Sequence, residues 1–140
     1  MKTYAGNLRI KLPLAWRDAS SYVYAANDAD MEIRVSVETA TPATDPELIL
    51  DQIQRRTALV AEQANLRRGV TTIEGKPAQT LSFDAKTKDE PDSTHTEFLV
   101  FKPDDTRCVT ISGMCPSKDA PNFAVIWRDL LANLAFVPIT

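Results

Sequence analysis

Three residues in this chain could carry chemistry near neutral pH: a single histidine, His95, and two cysteines, Cys108 and Cys115. A nucleophilic pair needs an imidazole within reach of a thiol proton, and adjacent strands could bring His95 to either cysteine. A lone histidine at the start of a strand is far more often a hydrogen-bonded or surface residue, and no G-x-S-x-G elbow or comparable hydrolase signature accompanies it. The cysteine spacing fits neither the C-x-x-C of redox centres nor a zinc knuckle. Asp28, Asp30 and Glu32 offer alternating oxygens, but the glycine and the distal bidentate glutamate of a calcium loop are missing. Asp89-Glu90-Pro91-Asp92 and Asp104-Asp105 imitate paired acid and base groups in composition only, since turns of this kind lack the burial that tunes a catalytic carboxylate. The four glycines stand singly, so no loop is written to cradle a phosphate. The expectation is a non-enzymatic protein, without catalytic residue, metal or cofactor, that acts by binding.

Length and composition set the frame for that expectation. At 140 residues, 44% hydrophobic and 25% charged, the chain has the size and make-up of one globular domain spanning 1–140. A net charge of -3 argues against a nucleic-acid partner, which calls for a basic face, and Arg55-Arg56 and Arg67-Arg68 are too short to supply one. The start MKTYAGNLRIKLPLAW carries Lys2, Arg9 and Lys11 and lacks the ~7–15 apolar residues of a signal peptide. No stretch approaches the ~20 apolar residues of a membrane span. A soluble, cytoplasmic protein that does not insert into membranes is expected, with both cysteines reduced.

The elements follow from periodicity. Leu8, Ile10 and Leu12 alternate as in a strand that Pro13 ends, and Trp16 is expected in the core beside that turn. Ser20 to Ala26 and Met31 to Glu38 read as a hairpin around Asn27-Asp28-Ala29-Asp30, with Ile33, Val35 and Val37 opposing Arg34, Ser36 and Glu38. Asp45, Pro46 and Glu47 supply an N-cap, a first-turn proline and an acidic first turn. The helix they begin should bury a stripe of Ile49, Ile53, Thr57, Val60 and Ala64. Leu66 to Ile73 and Ala78 to Ala85 form a second hairpin about Glu74-Gly75-Lys76-Pro77. Lys86 to Ser93 is a loop, Thr96 to Lys102 and Arg107 to Met114 are further strands, and Phe123, Ile126, Trp127, Leu130, Leu131 and Leu134 mark a closing helix to about Phe136. Short connections imply antiparallel pairing, so the fold class is α+β: an antiparallel sheet with two main helices packed on it.

Alternation also leaves a surplus. Tyr22 and Tyr24 share one side of their strand and Val23 and Ala25 the other, while Phe98 and Val100 oppose Leu99 and Phe101. Apolar groups therefore stand on both faces. Helices on both sides, a second copy, or a partner groove could cover them. If a groove, a face mixing Tyr22, Tyr24, Phe98 and Val100 with Thr110 and Ser112 joins apolar contact to the hydrogen-bonding groups that membrane helices use when they pack.

The run Leu12-Pro13-x-x-Trp16-x-Asp18-x-Ser20, and above all Ile111-Ser112-x-x-Cys115-Pro116 followed by Phe123 and Ile126-Trp127-Arg128-Asp129-Leu130-Leu131, resembles the DcrB-like family of the Mog/PsbP-like fold. The likeness covers nearly the whole chain. In its compact form the chain is similar to EagR-type chaperones of type VI secretion. That resemblance implies a cytoplasmic homodimer that shields the N-terminal transmembrane helices of an Rhs/PAAR-type effector before export. It also leaves open a DcrB-like envelope protein or a small-GTPase-binding regulator. The resemblance carries over no binding residue, so the six-residue face rests on alternation alone.

Overall fold

The computed structural model describes residues 11–13, 20–25, 31–132 and 135–137, and the side chains of 31–132. Strands β1 (Lys11–Pro13), β2 (Ser20–Ala25) and β3 (Glu32–Thr39) precede helix α1 (Pro46–Ala58). Four strands follow, β4 (Glu62–Ile73), β5 (Lys76–Lys86), β6 (Thr94–Asp104) and β7 (Arg107–Pro116). A 3-10 turn at Ser117–Asp119 leads into α2 (Ala120–Ala132), and β8 (Ala135–Val137) closes the described chain. Leu8, Ile10, Trp16 and the Asn27–Asp30 turn lie outside the described residues.

Six strands form one antiparallel sheet in the order β2-β3-β7-β6-β5-β4, and β1 and β8 pair in parallel as a second, two-stranded sheet. The fold class is the α+β arrangement expected, with one helix on each face. The path explains this. After β3 the chain crosses through α1 to the far edge, returns by hairpins through β4, β5 and β6 to β7 beside β3, and then lays α2 on the other side. Leu50 and Ile53 of α1 pack on Leu81, Phe83, Val100 and Cys108. Phe123, Trp127 and Leu130 of α2 pack on Ile33, Val35, Leu99 and Ile111. The apolar surplus is thus divided: Phe98 and Val100 go to α1, Leu99 and Phe101 to α2.

Local signals set the boundaries. The Asp45 carboxylate accepts the Glu47 N–H at 3.0 Å, Pro46 opens the helix, and Arg55 and Arg56 face the negative end of its dipole. Replacing Asp45 by Ala should cost about 1 kcal/mol in chemical denaturation. The helix stops at Ala58, six residues short of the expected stripe. Gln63 donates its side-chain amide to the Gln54 carbonyl and to the Thr57 hydroxyl, and Glu62 and Gln63 are already paired with Lys86 and Ala85 of β5. Val60 is consequently exposed, Ala64 belongs to β4, and the buried helical position overlooked in the periodicity is Leu50.

The β4–β5 turn is only Glu74-Gly75, both at positive φ (50° and 79°), so Lys76 and Pro77 already belong to the strand. That is the backbone demanded by a two-residue primed turn. Between Ala64 and Arg67 the register of β4 slips by a bulge at which Asn65 takes φ 55°, a conformation asparagine tolerates. At the β6–β7 turn the Asp104 carboxylate accepts both the N–H and the hydroxyl of Thr106 at 2.8 Å. α2 ends at Ala132, so Phe136 lies in β8 rather than in the helix.

Candidate binding surface

His95 enters β6 directly opposite Cys115 of β7, so the strand pairing does bring the two together. Its ring is committed elsewhere. Nδ1 lies 3.1 Å from Asp84 Oδ1 and Nε2 lies 3.0 Å from Glu97 Oε1, which leaves no ring nitrogen to accept a thiol or hydroxyl proton. Ser117 Oγ donates to Asp84 at 3.1 Å instead of to the imidazole, so the Ser-His-Asp order of a hydrolase is not assembled. Burial, helped by Asp119 and two other carboxylates, pushes the Cys115 thiol up to about 11; burial and Glu38 do the same for Cys108. At pH 8 alkylation of native protein should run roughly a hundredfold slower than for a free thiol and recover on unfolding. Among the described residues no group of histidine, cysteine and carboxylate side chains converges as metal ligands.

Beside these groups the sheet presents a surface, and register defines it. One row across the sheet runs Val23, Arg34, Ser112, Phe98, Leu81, Arg68, and the next on the same face runs Ser21, Ser36, Thr110, Val100, Gln79, Val70. α1 covers the β5–β6 half of this face and is tied to β4 by Arg68, whose guanidinium meets Asp51 at 2.8 Å. Over β7 and β3 the face stays accessible: Thr110 and Ser112 are half-buried, Met114 is 41% exposed, and the Arg34 side chain is 55% exposed and paired with Glu32 at 3.2 Å. Phe98 stands at the boundary, half-buried, its ring 6.0 Å from that of Phe83. The result is a shallow shelf of hydroxyls with two apolar side chains, walled on one side by α1.

The six residues expected to bind a partner do not form one group. Phe98, Thr110 and Ser112 come together on the shelf. Val100 is fully buried beneath α1 and is core, because the helix consumes that part of the apolar surplus. Tyr22 stands in register with Val35 and Tyr24 with Ile33, the rows of the α2 side, one residue out of step with the Ser112 and Thr110 rows. That grouping is therefore corrected: period-two alternation assigns sides within a strand, whereas the relative register of β2 and β7 through β3 decides which sides coincide. Arg34, Ser36 and Met114 were missed for the same reason. The polar side of β3 was legible as polar, but not as the floor beside Thr110 and Ser112.

No family model matches this chain, and no curated protein matches it. Solved structures do resemble it. A protein of unknown function from Pseudomonas aeruginosa, PA94, provisionally described as a regulator, superposes with a TM-score of 0.57 at 17% identity, covering 92% of this chain and 90% of its own. LpqN from Mycobacterium tuberculosis, involved in cell envelope biogenesis, gives 0.56 at 11% identity over 80% and 68% of the two chains. At these identities the likeness is one of fold. No helix among the described residues is long and apolar enough to cross a membrane.

Proposed function

We propose that this chain is a holder for an apolar helix of another protein: a cytoplasmic, non-enzymatic chaperone for the N-terminal transmembrane helices of an Rhs/PAAR-type type VI secretion effector, acting as a homodimer. The observation that supports the reading is the shelf over β3 and β7, where Ser36, Thr110 and Ser112 lie beside Phe98 and Met114. Membrane helices pack through small and hydroxyl-bearing residues, and a surface with the same mixture substitutes for a neighbouring helix better than a purely greasy one. The magnitudes favour two copies. Covering ~400 Å² of a helix on one shelf is worth on the order of 10 kcal/mol gross at about 25 cal/mol per Å², comparable to the cost of association, so a second shelf is needed for tight holding.

Co-expression with a fragment carrying two apolar N-terminal helices tests the function. The fragment should move into the soluble fraction and co-purify; a fragment that stays insoluble with and without the chain would remove the proposal. One finding favours a second reading, an envelope protein: the fold likeness to LpqN. Cell fractionation separates the two, since a holder of unexported helices belongs in the cytosol.

A further inference from the structure

A carboxylate accepts hydrogen bonds and a neutral imidazole carries a single N–H, so a ring placed between two carboxylates satisfies both only when doubly protonated. His95 is in that position, with Asp84 on Nδ1 and Glu97 on Nε2, and all three side chains are about four-fifths buried. Asp84 is also the hub of the surrounding contacts. Asn65, released by the β4 bulge, donates to its Oδ2 at 2.7 Å, and Ser117 donates to its Oδ1. Ser93 donates in turn to the Ser117 hydroxyl at 2.7 Å, and the Ser117 N–H returns to the Ser93 carbonyl at 3.0 Å. The His95 ring meets the Phe123 ring edge-on at 5.9 Å. β4, β5, β6 and the start of α2 therefore meet at one ion-paired corner.

We infer that His95 is a proton-operated clasp: with its ring doubly protonated the 3-10 turn and the first turn of α2 are pinned to β5 and β6, and loss of the proton loosens that corner. The surroundings agree. β5 presents Asp84, β6 presents Glu97, and the 3-10 turn adds Asp119; β7 presents the neutral Cys115 thiol, α2 the uncharged Phe123, and β4 Asn65, with Arg67 two strands across from Glu97. The hydrogen bond to Glu97, opposed by burial and joined by the bond to Asp84, raises the His95 pKa above 6.5. For Asp84 burial acts upward but is outweighed by the bonds from Asn65, His95 and Ser117, so its pKa falls below 3.8. A raised histidine stabilises fully below 6.5 and loses its contribution as pH climbs through the folded value; a depressed aspartate holds until pH falls through its own lowered value. The clasp is closed between those limits.

His95 is the only histidine in the chain, so its imidazole proton resonances can be followed by NMR without assignment. The titration midpoint should lie above 6.5. Hydrogen-exchange protection at Ser117 and Phe123, corrected for intrinsic rates, should fall through the same midpoint, by about tenfold for each unit that it exceeds 6.5. Glu97→Gln, which keeps the shape of the side chain, should lower the midpoint, and His95→Gln should flatten the pH profile of protection. A midpoint at or below 6.5, an unmoved midpoint in Glu97→Gln, or protection that does not change across the titration would overturn the clasp. The inference does not depend on the proposed helix-holding role.

Discussion

Phe123→Ala should lower the unfolding free energy by about 3–5 kcal/mol, the cost of emptying a fully buried aromatic site. Phe123 is one of the three α2 side chains, with Trp127 and Leu130, that are buried against the sheet. Its ring stacks on Trp127 with centroids 5.8 Å apart, meets His95 edge-on, and lies over the backbone of Gly113. Removing it opens a cavity whose walls are strand residues held by the ladder and a helix pinned at its first turn, so little collapse can refill it. For a domain of this size the melting temperature should drop by roughly 10 °C or more. Phe98→Ala, at the half-buried rim of the other face, should cost distinctly less. Equal losses for the two, measured in urea with unchanged m-values, would contradict the assignment of Phe123 as anchor and Phe98 as rim.

Gly113→Val is the second large effect, expected at roughly 3 kcal/mol, the upper end of the overpacking range. A Cβ at this position would sit 2.5 Å from Phe123 Cζ, 2.9 Å from Trp127 Cζ3 and 3.1 Å from Ile33 Cδ1. None of these is a free side-chain tip: all three residues are buried in the same cluster. The backbone of Gly113 does not occupy the left-handed region, so a side chain would otherwise favour the strand and packing alone decides the sign. Gly113→Ala should lose less than Val. Trimming the partner should return part of the loss: Gly113→Ala in a Phe123→Leu background should be less damaging than the sum of the single changes, by a coupling of about 1 kcal/mol. Strict additivity in that cycle would mean that the two residues do not touch.

The strand and helix content was legible because each signal was local. Asp45-Pro46-Glu47 starts α1 where the capping rule puts it, and alternation from Ile33 to Val37 marks β3 as a strand with one polar side. The errors lie where a distant partner overrides a local pattern. Val60 and Ala64 continue a helical stripe by spacing, yet pairing with β5 pulls the chain into β4 from Glu62, and Gln63 closes the helix behind it. Likewise the apolar run Phe98-Leu99-Val100-Phe101 announced burial on both faces, but nothing in it said that each face would receive its own helix. The binding shelf was half legible: Phe98, Thr110 and Ser112 fall on it, Val100 is taken by α1, and the rows of Tyr22 and Tyr24 follow from pairing with β3. The clasp was not legible, because Asp84, His95 and Ser117 meet only once three strands are in register.

The shelf can be tested by filling it. Ser112→Trp places a bulky side chain in the accessible row beside Phe98, whereas Ser82→Trp places the same bulk on the opposite face, in the row of Glu97 and Arg67. Both variants should first be shown to melt cooperatively near the native temperature, and the yield of soluble complex with a two-helix apolar fragment should then be compared with that of the unmodified chain. The expected outcome is a loss of roughly tenfold for Ser112→Trp, equivalent to about 1.4 kcal/mol of binding, and no loss for Ser82→Trp. A folded Ser112→Trp protein that holds the fragment as well as the original would show that the partner helix binds elsewhere.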